Sequence, residues 1–113
     1  VWGLSFKPNT DDIRESRSIA LCEKLLKKGC SIVAYDPKVH TTPLSIEIAS
    51  TIYESTKNAD AIIVATEWDM FHLVDWDKVK QTMHGRTILD GRNYLDPKEI
   101  KAAGLSYLGV GRP

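Results

Sequence analysis

The run Ala61-Ile62-Ile63-Val64-Ala65 constrains the fold of this chain more than any other segment. Five apolar residues without polar alternation suit a strand covered on both faces, the situation of a strand inside a parallel sheet. A parallel neighbour requires a long crossover, usually a helix, and the rest of the chain supplies crossovers. Val1 to Phe6 reads as a short buried strand. Ile19, Cys22, Leu25 and Leu26 then fall on one helical face. Ser16 is placed to cap that helix by accepting from its free N–H groups. Lys27 and Lys28 suit the negative end of its dipole, and Gly29 supplies a left-handed stop. Ser31 to Tyr35 reads as a second strand, ended by Asp36-Pro37. Residues 38–50 are weakly patterned and read as loop, with a short helix over 50–57. Downstream of the apolar run, Asp75 caps a helix reaching about Met83. Arg86 to Leu89 reads as a fourth strand. Asp96-Pro97-Lys98-Glu99 combines a cap, a proline at the first helical position and a glutamate at the third. That helix ends near Gly104, and Ser106 to Val110 forms a last strand.

The order is therefore strand and helix in alternation, beginning and ending on a strand. It predicts an α/β fold: a Rossmann-like, doubly wound parallel sheet of about five strands in a three-layer αβα arrangement. The 113 residues fit one domain. Formal net charge is zero, so no basic field points to nucleic acid or to an anionic membrane. No apolar run approaches the roughly 18 residues needed to span a bilayer, and no signal peptide is visible. The two cysteines, Cys22 and Cys30, read as buried free thiols rather than a disulfide or a nucleophile, which suits a reducing cytoplasm. The chain opens on Val1 with no initiator Met and already inside a strand. The expectation is a domain, residues 1–113, of a longer protein.

In such a sheet ligands bind beyond the carboxyl ends of the strands. After the first strand come Lys7, Asp11, Asp12 and Arg14. The loop lacks the Gly-x-Gly-x-x-Gly spacing that lets backbone cradle a pyrophosphate, so it is not read as the main NAD site. Lys7 and Arg14 are either solvated loop residues or contacts for phosphate, one as a point charge and one as a fork. Asp36 closes the second strand where a ribose-binding acid would stand, or serves as a turn residue before Pro37. Thr66-Glu67-Trp68-Asp69 follows the third strand. Trp68 and Phe71 are either core anchors or an apolar wall beside a bound base. Asp90-Gly91-Arg92-Asn93 follows the fourth, where Arg92 pairs either with a ligand or with Asp90 or Asp96. His40, His72 and His84 are scattered and suggest no metal site. No catalytic triad or nucleophile stands out. These patterns alone name no substrate.

The segment Gly3-Leu4-Ser5-Phe6-Lys7-Pro8-Asn9-Thr10-Asp11-Asp12-Ile13-Arg14-Glu15-Ser16 closely resembles the signature that opens the last domain of UDP-glucose and GDP-mannose dehydrogenases. Ala34-Tyr35-Asp36-Pro37, Asn58-Ala59-Asp60-Ala61, Thr66-Glu67-Trp68 and Asp90-Gly91-Arg92-Asn93 match in order, and Gly109-Val110-Gly111-Arg112-Pro113 is similar to the family's usual ending. The resemblance implies the carboxy-terminal, nucleotide-sugar-binding domain of an NAD-dependent enzyme, most like UDP-glucose 6-dehydrogenase. Such enzymes oxidise the sugar C6 alcohol to a carboxylate with two NAD and a cysteine thioester. The catalytic Cys, its Lys and Asn helpers and the NAD loop would lie in amino-terminal and central regions outside this chain. Cys22 and Cys30 match no family nucleophile, so no catalytic residue is expected here.

The resemblance implies that Phe6, Lys7 and Arg92 bind the UDP-sugar and that Arg14 reaches NAD held mainly by the other domain. It further implies a homo-oligomeric parent, a monomeric and inactive isolated domain, partners limited to the substrate and the enzyme's own domains, and a cytoplasmic location. GDP-mannose and UDP-N-acetyl sugars are the alternative substrates. A stand-alone nucleotide-sensing module is the alternative of a different class.

Overall fold

The computed structural model describes residues 1–111. Arg112 and Pro113, the last part of the family-like ending, lie outside the described residues. The elements are α1 (Arg17–Lys27), β1 (Val33–Ala34), β2 (Glu47–Ile48), α2 (Ile52–Ser55), β3 (Ala61–Val64), α3 (Trp76–Thr82), β4 (Thr87–Asp90), α4 (Pro97–Ala102) and β5 (Ser106–Gly109), with a 3-10 turn over Asp69–Leu73.

Every strand pairing is parallel. β1 pairs with β2, while β3, β4 and β5 follow one another in order. Residues 1–3 join the two groups. Trp2 bridges Tyr35 on one side and Val64 on the other. Its N–H donates to Ile63 O at 2.8 Å and its carbonyl accepts from Ala65 N at 2.9 Å, while Gly3 N–H donates to Tyr35 O at 2.8 Å. The spatial order is thus β2, β1, residues 1–3, β3, β4, β5. The first segment is central and the chain winds outward from it in both directions, the doubly wound arrangement expected.

Helices cover both faces. On one, Cys22 of α1 packs with Leu4, Ile32, Ala34 and Val39. On the other, Trp2, Ile62, Val64, Ile88 and Tyr107 meet Ile52, Val79 and Ile100 from α2, α3 and α4. Trp2 anchors this second core, with its ring centroid 5.5 Å from Phe71 and 5.7 Å from Trp76. Fully burying one such large apolar side chain stabilises the fold by roughly 1.5–3 kcal/mol. Trp68 and Phe71 are both buried, which makes them core anchors rather than a wall beside a ligand. The β3 run is covered unevenly: Ile62 and Val64 are buried, Ile63 is half-buried and Ala61 is exposed. The layer built by α1 stops short of this half of the sheet, where Leu108 is also exposed.

The capping expectations hold. The Ser16 Oγ accepts from Ile19 N, Asp75 from Asp77 and Lys78 N, and Asp96 from Lys98 N, with Pro97 opening α4. Three expectations need correction. The first strand is regular only around Trp2, because Gly3 turns to φ +93° and the N–H groups of Leu4 and Ser5 go to Asp36 instead of to a neighbouring strand. The loop read over 38–50 contains β2, an edge strand whose Ile48 packs with Leu44 and Ile46 onto the α1 core. Cys30 is exposed rather than buried, though it is free, as is Cys22. The reason is local: Gly29 at φ +88° donates to Leu26 O and Cys30 N–H donates to Leu25 O, the paired bonds of a Schellman cap. Cys30 belongs to the helix end, not to the following strand.

Candidate functional site

The crevice between residues 1–3 and β3 is the point where the winding reverses direction, the place where open α/β sheets receive ligands. A cleft of about 350 Å³ lies there, lined by Ser5, Phe6, Lys7, Arg17, Ser18, Ala65, Glu67 and Arg92. Two close-fitting turns carry residues to it.

The first follows residues 1–3. A Cβ at Gly3 would come within 2.5 Å of the Thr66 Cβ, and the backbone there has positive φ. Glycine is required by both contact and conformation. The close approach lets Thr66 Oγ1 donate to Ser5 O at 3.0 Å, tying the first turn to the end of β3. Asp36 clamps the same turn from the other side. Its buried carboxylate accepts from Leu4 N at 2.7 Å, Ser5 N at 3.0 Å, Lys38 N at 2.8 Å and Val39 N at 2.9 Å. Both oxygens are engaged by backbone, so Asp36 is a turn organiser and not a ribose ligand. Ser16 Oγ donates to Leu4 O at 2.7 Å, so the helix cap also pins the turn. Phe6 and Lys7 project beyond these restraints, and Phe6 is 54% exposed.

The turn after β4 is built the same way around Asp90. This buried carboxylate accepts from Tyr94 N, Leu95 N and the Tyr107 hydroxyl, each at 2.8 Å, and from Arg92 N at 3.2 Å. Arg92 emerges from the turn toward Glu67, which follows β3. Its Nε and Nη2 reach the two Glu67 oxygens at 2.9 and 3.0 Å. This is a bidentate fork, the geometry in which guanidinium and carboxylate match best. The bond to Glu67 holds the Arg92 guanidinium above its already high pKa. The sequence left Arg92 with Asp90 or Asp96 as intramolecular partners. The structure gives its side chain to Glu67 and only its backbone to Asp90.

Arg14 does not line the cleft. It is highly exposed, and its guanidinium folds back on Asp12 at 2.9 Å. Bonding to Arg14 holds the Asp12 carboxyl down to about 2. Phe6, Lys7 and Arg92, named from the sequence, meet in one cavity; Arg14 stands outside it. Sequence reasoning missed Arg17 and Glu67. Their positions carried the signal: Glu67 directly follows a strand end at the reversal point, and Arg17 opens the helix after the first turn.

Three cations and one carboxylate line the cleft beside an exposed aromatic ring, a lining suited to an anion with a flat or carbohydrate group attached. Neither Cys nor His lines it, and among the described residues no group of three His, Cys, Asp or Glu side chains could hold a metal. No helix of the described residues is long and apolar enough to cross a membrane.

Comparison with known proteins bears on the domain as a whole. Residues 1–97 match the family model described as the UDP binding domain of the UDP-glucose/GDP-mannose dehydrogenase family. UDP-glucose 6-dehydrogenase AglM of Haloferax volcanii is 42% identical over 95% of this chain and 24% of the relative. UDP-glucose 6-dehydrogenase of Pseudomonas aeruginosa is 36% identical over 100% of this chain and 27% of the relative. Among solved structures, NDP-N-acetyl-D-galactosaminuronic acid dehydrogenase from Methanosarcina mazei superposes with a TM-score of 0.86 at 32% identity, covering 98% of this chain and 24% of that one. The chain spans about a quarter of the length of these relatives. On the match of its sequence, its winding order and its fold, the chain belongs to the UDP-glucose/GDP-mannose dehydrogenase family, as the UDP binding domain of that family.

Proposed function

We propose that this chain is the nucleotide-sugar-binding, carboxy-terminal domain (residues 1–113) of an NAD-dependent UDP-glucose 6-dehydrogenase. The observation that carries the reading is the convergence of Phe6, Lys7 and Arg92 on one cleft at the reversal point of the sheet. Lys7 supplies an unpaired ammonium for the diphosphate, Phe6 an apolar face, and Arg92 a fixed fork. The parent reaction removes two hydrides from the sugar C6 alcohol to two NAD, water supplying the second carboxylate oxygen. The groups that perform it lie outside residues 1–113, so this chain alone turns nothing over.

NAD, when bound by the other domain, accepts the hydrides. This chain offers it an edge rather than a cradle. Arg14 is exposed beyond the cleft and two of its guanidinium nitrogens are held by Asp12, which leaves the remaining one to face a phosphate of the cofactor. The parent is proposed to be a cytoplasmic homo-oligomer and the isolated domain a monomer.

The test is a titration of the chain with UDP, UDP-glucose and GDP-mannose, followed by amide NMR. Shifts at Phe6, Lys7 and Arg92 with the uridine ligands, weakened about tenfold or more by Lys7→Ala or Arg92→Ala, are the expected result. Undiminished affinity in both variants would remove the residue assignment. A second reading, a UDP-N-acetyl sugar as substrate, is favoured by the close superposition on the Methanosarcina enzyme. Tighter binding of UDP-N-acetyl sugars than of UDP-glucose would establish it, and a preference for GDP-mannose would move the protein to that branch.

A further inference from the structure

Two of the cations in the cleft form no ion pair among the described residues, although Lys7 lies within electrostatic reach of Asp12, and the third is forked to a carboxylate. Lys7 and Arg17 form no ion pair or side-chain hydrogen bond among the described residues, and both line the cavity. Arg92 gives Nε and Nη2 to Glu67 in a fork whose two members are both partly exposed at the cavity wall. A guanidinium has five N–H donors; the fork uses two and leaves three, while the carboxylate keeps lone pairs of its own. The pair is therefore close to neutral and presents donors and acceptors side by side. That combination suits hydroxyl groups, each of which donates and accepts at once. It suits a phosphate poorly, because the carboxylate repels it.

We propose that Glu67 divides the cleft by chemistry: the Glu67–Arg92 pair reads the hydroxyls of the sugar, and Arg17 joins Lys7 in holding the diphosphate. This rests on the nucleotide-sugar reading above. Glu67 acts as a specificity-determining residue, partly through the position it imposes on Arg92. Arg17 is a third anion-binding cation.

The experiment compares the affinities of UDP, UDP-glucose and inorganic pyrophosphate for the chain, for Glu67→Gln and for Arg17→Ala, with amide dispersion checking that each variant folds. Arg17→Ala is expected to weaken all three ligands by a similar factor, about tenfold. Glu67→Gln is expected to erase the preference for UDP-glucose over UDP while strengthening pyrophosphate severalfold, because the charge of Arg92 is no longer cancelled. Should Glu67→Gln not fold, Arg92→Lys replaces it. That variant keeps the charge and loses the fork, and should lose the sugar preference while retaining pyrophosphate. Equal weakening of UDP and UDP-glucose by Glu67→Gln, or no effect of Arg17→Ala, overturns the division. So does a native chain that binds UDP and UDP-glucose equally, an outcome that leaves the nucleotide reading standing. A native chain that binds none of the three removes both.

Discussion

The two turns that supply the cleft with cations are held in opposite ways. The turn after β4 is tied by its own neighbours and also by residues far away in sequence, Tyr107, Glu67 and Val110. Asp90 collects donors from Tyr94, Leu95 and Tyr107, and Glu67 holds Arg92. Asn93, at φ 52°, accepts from Val110 N at 2.8 Å and donates to its carbonyl. The loop from Lys7 to Arg14 is held mainly by itself. Thr10 and Asp12 accept from Asp12 N and Arg14 N within the loop, and Asn9 and Glu15 both take positive φ at solvent-facing positions. Its outside restraints are at its base, where Phe6 N–H meets Asp12 O, Ser5 Oγ donates to Lys7 O and Ile13 packs against the α1 core. One wall of the cleft is tied to the core by side chains; the other is tied mainly to its own backbone.

Five measurements sharpen or break that contrast. Asp90→Ala should lower stability most, by about 3 kcal/mol, since it strands several buried donors. Chemical denaturation reads it, and a loss under about 1 kcal/mol would mean the wall is not templated by this carboxylate. Asn93→Ala should cost about 1–2 kcal/mol through two lost bonds and a left-handed backbone. Asp12→Asn, the counterpart in the free loop, should leave the denaturation midpoint unchanged and raise amide exchange over residues 9–14. A matching loss of stability would abolish the distinction. The smallest effects are those of pH.

The Tyr94 phenol, bonded to Asp69 at 2.6 Å, is pushed up to about 12. A raised phenol favours its neutral form in the folded state. Its contribution is present below the ordinary value of 10.0 and fades as pH rises toward 12; absorbance titration follows it. Asp12 has the opposite sign. Its lowered carboxyl contributes above the usual 3.8 and loses that contribution as pH falls toward 2. Carboxyl-carbon shifts should place its midpoint near 2, with little change in stability because the pair is open to solvent.

The contrast also explains what the sequence made legible. The strands of the β3–β5 group and three of the four side-chain caps among the described helices were readable, because apolar runs and Ser or Asp caps act locally; Thr51, which caps α2, was not named. β2 was not singled out, although Leu44, Ile46 and Ile48 alternate with Ser45 and Glu47. A two-residue edge strand leaves only that short trace. Phe6, Lys7 and Arg92 were named through resemblance, and the strand-end rule put them in loops that the folded sheet brings to one cavity. The Glu67–Arg92 fork was not readable, since it joins residues 25 apart through two turns whose relative placement only the folded sheet fixes. Cys30 was misread for a different reason: a Schellman cap and a strand start both follow a glycine.

The position of residues 1–3 has a consequence for how the chain reaches its native state. Their partners are Tyr35, about thirty residues on, and Val64, about sixty on. The β3–β5 group, by contrast, is assembled from neighbours in the chain and carries most of one core. Loop closure favours the nearby pairings first. The pairings of residues 1–3 are therefore expected to form late, and the cleft, which needs both halves of the sheet, is expected to form with them.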